Sequence, residues 1–145
     1  MKEIEFHFNV PDKLDYGCRL LRKVQHRGMR AVVTAEPDLL TQLDQFLWSF
    51  SSTEFLPHCL DTAGVVLTDL TAIILSEQTG ACSAEGVLIN LGRKIPEGFD
   101  RFERFVELVS DEPEDRLAGR DRWKTYTNGG FELKRHDVAA CKDTP

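Results

Sequence analysis

The sequence has no apolar run approaching the roughly 18 residues that a membrane span needs, so no membrane association is expected. Nor does an apolar run follow Met1-Lys2. The segment there is charged and alternating, unlike a secretory leader, and a cytoplasmic location is expected. Cysteine is sparse. Cys18, Cys59, Cys82 and Cys141 form no C-x-x-C pair, and a chain of 145 residues can build a core without disulfide staples. A reducing compartment and no metal site are expected, since the adjacent His58-Cys59 pair is awkward for chelating one ion. Positive charge is in deficit: 18 Lys and Arg stand against 24 Asp and Glu, a net charge of −6. That balance argues against gripping nucleic acid over a broad surface.

Catalytic and phosphate-binding signatures are missing too. There is no G-x-S-x-G elbow. A phosphate loop needs glycines and a lysine at a strand-to-helix turn, where backbone N–H groups cradle the anion. The turns here read Asn9-Val10-Pro11-Asp12 and Ala35-Glu36-Pro37-Asp38, acidic where phosphate would sit. Gly92-Arg93-Lys94 lacks the upstream glycine and the following Ser or Thr. The carboxylates Glu36/Asp38 and Glu112/Glu114 read as helix-start and turn acids, not as an acid–base pair.

What is present reads as one α/β domain over residues 1–136, with a flexible tail over 137–145. Glu3–Asn9 alternates as a half-buried strand, with Ile4, Phe6 and Phe8 on one face and His7 on the surface side. Asp12 caps a helix over Lys13–Arg27 whose stripe is Leu14, Cys18, Leu21 and Val24, and Gly28 ends it. Arg30–Ala35 is a buried strand, and Pro37 opens a second helix. One or both of Gly64–Asp69 and Ala72–Leu75 form a strand, and Val87–Leu91 forms another. The row Phe99, Phe102, Phe105, Val106 and Val109 has helical spacing, which predicts a third helix from Pro96 to Val109. A last helix is predicted over Arg116–Thr127, with a short extended piece at Phe131–Leu133. The expected architecture is a three-layer α/β/α stack around a mostly parallel sheet, resembling a nucleotide-binding fold without its phosphate loop.

Two stretches suggest function. The first is Leu43–Leu60, LDQFLWSFSSTEFLPHCL. Measured from Leu39 on a helical wheel, Leu43 lies near ~40°, Phe46 near ~340° and Leu47 near ~80°, whereas Trp48 lies near ~180°. Trp48 therefore points away from the core stripe, covered by a loop or offered to a partner. The second is the basic region Arg116–Arg135, which includes Arg122, Lys134 and Arg135. Arg116, Arg120 and Lys124 fall at i, i+4 and i+8 on one helix face, with Trp123 beside them. Cations next to an aromatic suit a ligand bearing carboxylates and one apolar side chain. A solvated basic face paired with the acidic turn Asp111–Asp115 accounts for the same pattern.

Four blocks in this order carry a family resemblance: FHFNVPDKLDYGCRLLRK, LDQFLWSFSSTEFLPHCL, VLINL and RDRWKTYTNGGFEL. Together they resemble the chi subunit of bacterial DNA polymerase III over nearly the whole chain. The most specific part is Leu43, Asp44, Leu47 and Trp48 followed by Phe55, Pro57 and His58. The resemblance implies a non-catalytic accessory subunit of the clamp-loader complex in DNA replication, with no cofactor. It implies two partners. The psi subunit would meet Trp48, Phe55 and Pro57. The acidic C-terminal tail of single-stranded-DNA-binding protein, which ends in phenylalanine, would meet Arg116, Arg120, Trp123 and Lys124. Trp123 stands where the family usually has a tyrosine-like residue, and Val109 is a candidate for the tail's apolar pocket. Some chi proteins also pair with a repair helicase through the psi surface. The alternative reading is a small α/β nucleotide-binding protein or enzyme.

Overall fold

Residues 3–49, 58–60, 73–76 and 86–138 are described by the computed structural model. Within them seven strands form one sheet: β1 (Glu3–Val10), β2 (Ala31–Thr34), β3 (His58–Leu60), β4 (Ile73–Leu75), β5 (Val87–Asn90), β6 (Arg104–Ser110) and β7 (Glu132–Asp137). Three α-helices accompany them: α1 (Lys13–His26), α2 (Pro37–Ser49) and α3 (Pro113–Asn128). The strand order is β3-β4-β2-β5-β6-β1-β7, and every pairing is parallel. The expected α/β sandwich around a parallel sheet is what the chain forms.

Crossover handedness decides which face each helix covers. From β1 the chain passes over β6 and β5 to reach β2, then from β2 over β4 to β3. Both moves run in one direction, and right-handed crossovers put α1 and α2 on the same face. From β6 it passes over β1 to β7, the opposite direction, so α3 lies on the other face. The core divides accordingly. Tyr16, Cys18, Leu20, Leu21 and Val24 of α1 and Leu40 and Leu43 of α2 pack on Val33, Ile89, Val106 and Leu108. Tyr126 of α3 packs on Ile4, Phe6, Val32, Leu88, Phe105 and Val109.

Local signals explain the first helices. Asp12 accepts hydrogen bonds from the amides of Leu14 and Asp15, at 3.0 and 3.3 Å, capping α1 as expected. Gly28 takes φ +71° just past its end, a conformation that glycine adopts without penalty. In α2, Leu40 and Leu43 are buried and Leu39 and Phe46 partly so, the side of the wheel predicted to face the core. Trp48 belongs to α2, but its side chain, like Phe55 and Pro57, lies outside the described residues. So do the predicted strand at 64–69, most of the loop at 77–86, and residues 139–145.

Four expectations are corrected. The helix predicted from Pro96 to Val109 is a single 3-10 turn at Phe99–Arg101 followed by strand β6. β6 lies between β5 and β1 and is buried on both faces, so its apolar residues do not show the alternation of a half-buried strand. The last helix starts at Pro113, not Arg116. Proline in the first turn and the acids Glu114 and Asp115 beside the positive helix end make the supposed acidic turn part of the helix. The extended piece at Phe131–Leu133 is a six-residue strand, β7, pairing with β1 from Glu3↔Glu132 to Phe8↔Asp137, and Val138 behind it is buried. His7 is not a surface residue: it is buried, with Nδ1 2.5 Å from the Tyr16 hydroxyl and the His136 ring at 4.7 Å. β3 was not anticipated either.

Charge pairing ties β1 to its neighbour. Arg104 forks onto Glu5 through Nε and a terminal nitrogen, at 2.5 and 3.0 Å. The His7 hydrogen bond and Arg104 together hold the Glu5 carboxyl at about 2, against the upward pull of partial burial. A carboxyl depressed in the folded state contributes stability above its unfolded pKa, and that contribution fades as pH falls toward the folded value. The window here runs from 4.5 down to about 2. Glu5→Gln should therefore cost about 1–3 kcal/mol at pH 7. Urea denaturation at pH 7 and pH 3 checks this: the gap from wild type should narrow at the lower pH.

Candidate functional site

α3 is unusual in what it turns inward. Its buried residues are Asp115, Gly119, Arg122 and Tyr126, a single stripe with almost no aliphatic content. Each has a specific counterpart. Asp115 accepts from the Ser110 amide at 2.7 Å and from Lys13 Nζ at 3.0 Å, and Arg93 Nε donates to it at 3.2 Å. Burial alone would raise this carboxyl. The Ser110 amide and the Lys13 ammonium outweigh it and hold Asp115 below its usual range. Gly119 lies directly on β6, where a Cβ would stand 2.9 Å from Val109 Cγ2. Arg122 Nε donates to Glu107 Oε2 at 3.0 Å, and its Nη1 to the Arg93 carbonyl at 3.0 Å. Tyr126 donates its hydroxyl to the same Glu107 oxygen at 2.5 Å, while Asn90 Nδ2 donates to Oε1 at 2.8 Å. Burial pushes Glu107 up to about 7 against the pull of Arg122, Tyr126 and Asn90. Burial and the neighbouring Glu107 push the Tyr126 phenol up as well.

Arg122 therefore does not belong to the basic surface in which the sequence placed it. It is a buried counterion, 2% exposed. The other cations of α3 do reach the surface. With α3 crossing over β1, a groove of about 390 Å³ opens between them. Phe6, Phe8 and Asn9 from β1, Val109 from β6, Arg116, Gly119, Arg120 and Trp123 from α3, and Arg135 from β7 line it. Phe6 and Trp123 meet edge to face at 5.0 Å. Arg135 sits 5.4 Å from the Phe8 ring centre and 6.0 Å from that of Trp123. Arg116, Arg120 and Arg135 have no carboxylate partner among the described residues. The groove is thus an aromatic floor rimmed by unpaired guanidinium groups, suited to an apolar group attached to a carboxylate.

Of the residues picked from the sequence, Arg116, Arg120, Trp123 and Val109 meet in this groove. Lys124 does not line it and sits exposed one turn beyond Arg120. Sequence reading did not place Phe6 or Phe8 at the site, and it counted Arg135 only within the basic region. Phe6 and Phe8 were recognisable as one face of a strand. Nothing local aims Arg135 at the groove: it gets there because β7 pairs with β1 at Phe6↔Arg135.

The place where nucleotide-binding folds hold phosphate is arranged differently. In parallel sheets that place is where adjacent strands send their helices to opposite faces. Here it lies between β1, which leads to α1, and β6, which leads to α3. The Lys13–Asp115–Arg93 cluster spans it, and Lys13 also donates to the Leu91 carbonyl at 2.5 Å. The turns beside it carry Asp12, Asp111 and Glu112. Cations that fit an anion are tied up by an internal carboxylate.

Comparison with known proteins decides the family. Residues 1–134 match the family model described as DNA polymerase III chi subunit, HolC. The chain belongs to the DNA polymerase III chi-subunit family. The chi subunit of Pseudomonas aeruginosa is 34% identical over 125 residues, covering 86% of this chain and 85% of the relative. The chi subunits of Escherichia coli and Haemophilus influenzae are 26% and 23% identical over 117 and 126 residues. These alignments cover 80% and 86% of this chain, and 79% and 86% of the respective relatives. Membership makes the chain an accessory subunit of the replicative polymerase. No helix among the described residues is long and apolar enough to cross a membrane.

The Glu107–Arg122 pair positions the α3 side of the chi groove, and its dependence can be measured. Arg122→Met should cost about 3–5 kcal/mol at pH 8, because it leaves a buried carboxylate uncompensated. Without its counterion the carboxyl is held neutral to a higher pH, and a folded-state pKa above the unfolded one costs stability as pH rises. The loss, read by chemical denaturation, should therefore be smaller at pH 5.

Proposed function

We propose that the chain is a non-catalytic bridge in the replisome, with two protein interfaces on different parts of the domain. One is the α3 groove, which takes the acidic, phenylalanine-ended tail of single-stranded-DNA-binding protein. The other is the surface around Trp48, Phe55 and Pro57, which takes the psi subunit and through it the clamp loader.

The groove carries the reading. A C-terminal phenylalanine offers a ring and an α-carboxylate on the same residue. Phe6, Phe8, Val109 and Trp123 supply an apolar bed for the ring, and Arg116, Arg120 and Arg135 supply donors for the carboxylate. Acidic residues upstream in the tail can continue toward exposed Lys124. A short peptide buries little area, so a few charge-assisted bonds and one aromatic contact supply most of its affinity. Such binding weakens as salt rises. The internal pairing of Lys13, Asp115 and Arg93 at the sheet's switch point favours this reading over the nucleotide-binding alternative.

Separate interfaces imply separable variants. Arg120→Ala should weaken tail-peptide binding at least fivefold by fluorescence anisotropy, about 1 kcal/mol or more for a hydrogen bond to a charged group, and leave psi association intact. Trp48→Ala should do the reverse, reducing psi association by about 2–4 kcal/mol as a central tryptophan does. Unchanged tail affinity in Arg120→Ala would remove the groove from the proposal.

A further inference from the structure

A second cleft lies on the opposite face of the sheet, where no helix among the described residues covers β7. Its floor is Glu5 and His7 of β1, Arg104 of β6 and His136 of β7. Its wall is α1 with the residue that ends it, presenting Tyr16, Lys23 and Arg27. Glu5 is the one acidic residue in this lining, and it is committed to Arg104 and His7. Lys23 and Arg27 have no carboxylate partner among the described residues. His136 is held by ring contact with His7 and makes no side-chain hydrogen bond among the described residues.

Basic residues near a helix C-terminus answer the helix dipole, and that accounts for the position of Lys23 and Arg27 along α1. It does not account for an imidazole facing them from β7. His7 fixes that geometry. Tyr16 and Glu5 hold its ring from two sides, and the His136 ring lies over it at 37°. In a chain of net charge −6, donors from α1 and β7 thus converge on one concavity with no anion left to receive them among the described residues.

We propose that this cleft binds a small dianion of the phosphate class, held by Lys23, Arg27 and His136. Its volume of about 240 Å³ lies below the ~300–1,000 Å³ of sites that enclose drug-sized ligands, so it admits a phosphate or a small phosphate ester. The site is independent of the α3 groove, which lies across the sheet. Burial, His7 and Lys23 depress the His136 imidazole, while Glu5 and Asp137 act the other way. A bound dianion adds an opposing charge that raises it.

The test uses the full chain with labelled histidines, titrated with inorganic phosphate by NMR at constant ionic strength with chloride. The His136 ring signals should shift saturably and its titration midpoint should rise. Lys23→Gln with Arg27→Gln removes two exposed side chains that answer the α1 dipole, so the phosphate-free melting temperature should fall only slightly while phosphate affinity falls at least about tenfold. Displacement of phosphate by glycerol 3-phosphate would identify an esterified source, and failure to displace it the free ion. A linear, unsaturable shift, or the same curve in the double variant, would overturn the site.

Discussion

The buried pair Glu107–Arg122 is the constraint on which the α3 side of the molecule rests. An ion pair this deep is rarely a net source of stability, because both charges lose their water. Its value is directional. Glu107 receives Arg122 and Tyr126 from α3 and Asn90 from β5, so the helix can dock on β6 in one rotation only. One Arg122 nitrogen, Nη2, finds no acceptor among the described residues, a cost that an apolar helix face would not carry. Rotating α3 by one residue would bury a surface cation beside Val109 and leave Glu107 alone. The polar stripe therefore keeps Arg116, Arg120 and Trp123 aimed at β1.

Groove formation follows from that docking together with the strand order. β7 pairs with β1 and brings Arg135 level with Phe6, while α3 crosses above them. Gly119 lets the helix approach β6 closely. Aromatic floor and cationic rim thus come from elements far apart in the chain, as one expects of a binding surface on a rigid scaffold. The same topology that leaves one face of β7 to the groove leaves its other face without a helix among the described residues. That is where the second cationic cleft lies, beside α1.

Much of this was legible in the sequence wherever local chemistry decides structure. The Asp12 cap, the α1 and α2 stripes, the apolar runs at Ala31 and Val87, and the absent phosphate loop needed only neighbours to interpret. The spacing of Arg116, Arg120 and Lys124 put three cations on one helix face beside Trp123; Arg116, Arg120 and Trp123 line the groove and Lys124 does not. The failures share a cause: the missing information was long-range. Phe99, Phe102, Phe105, Val106 and Val109 fit a helical period, yet β6 is a central strand buried on both faces, where spacing stops being diagnostic. Arg122 looks like a surface cation in the sequence because its partner, Glu107, sits on a strand whose apolar spacing mimics a helix. His7 looked exposed because Tyr16 and β7 cover it only once the chain folds back. Arg135 enters the groove through pairing between the first and last strands, which no local pattern reports.

The central claim is that the groove, and not another face of the domain, receives an acidic phenylalanine-ended tail. Amide and guanidinium chemical-shift mapping on the labelled chain, with the tail peptide added at low and then at high salt, addresses it most directly. The account predicts saturable shifts concentrated on Phe6, Phe8, Gly119, Trp123 and the side chains of Arg116, Arg120 and Arg135, shrinking as salt rises. Shifts centred on α2 or on β3, with the α3 groove silent, would contradict it.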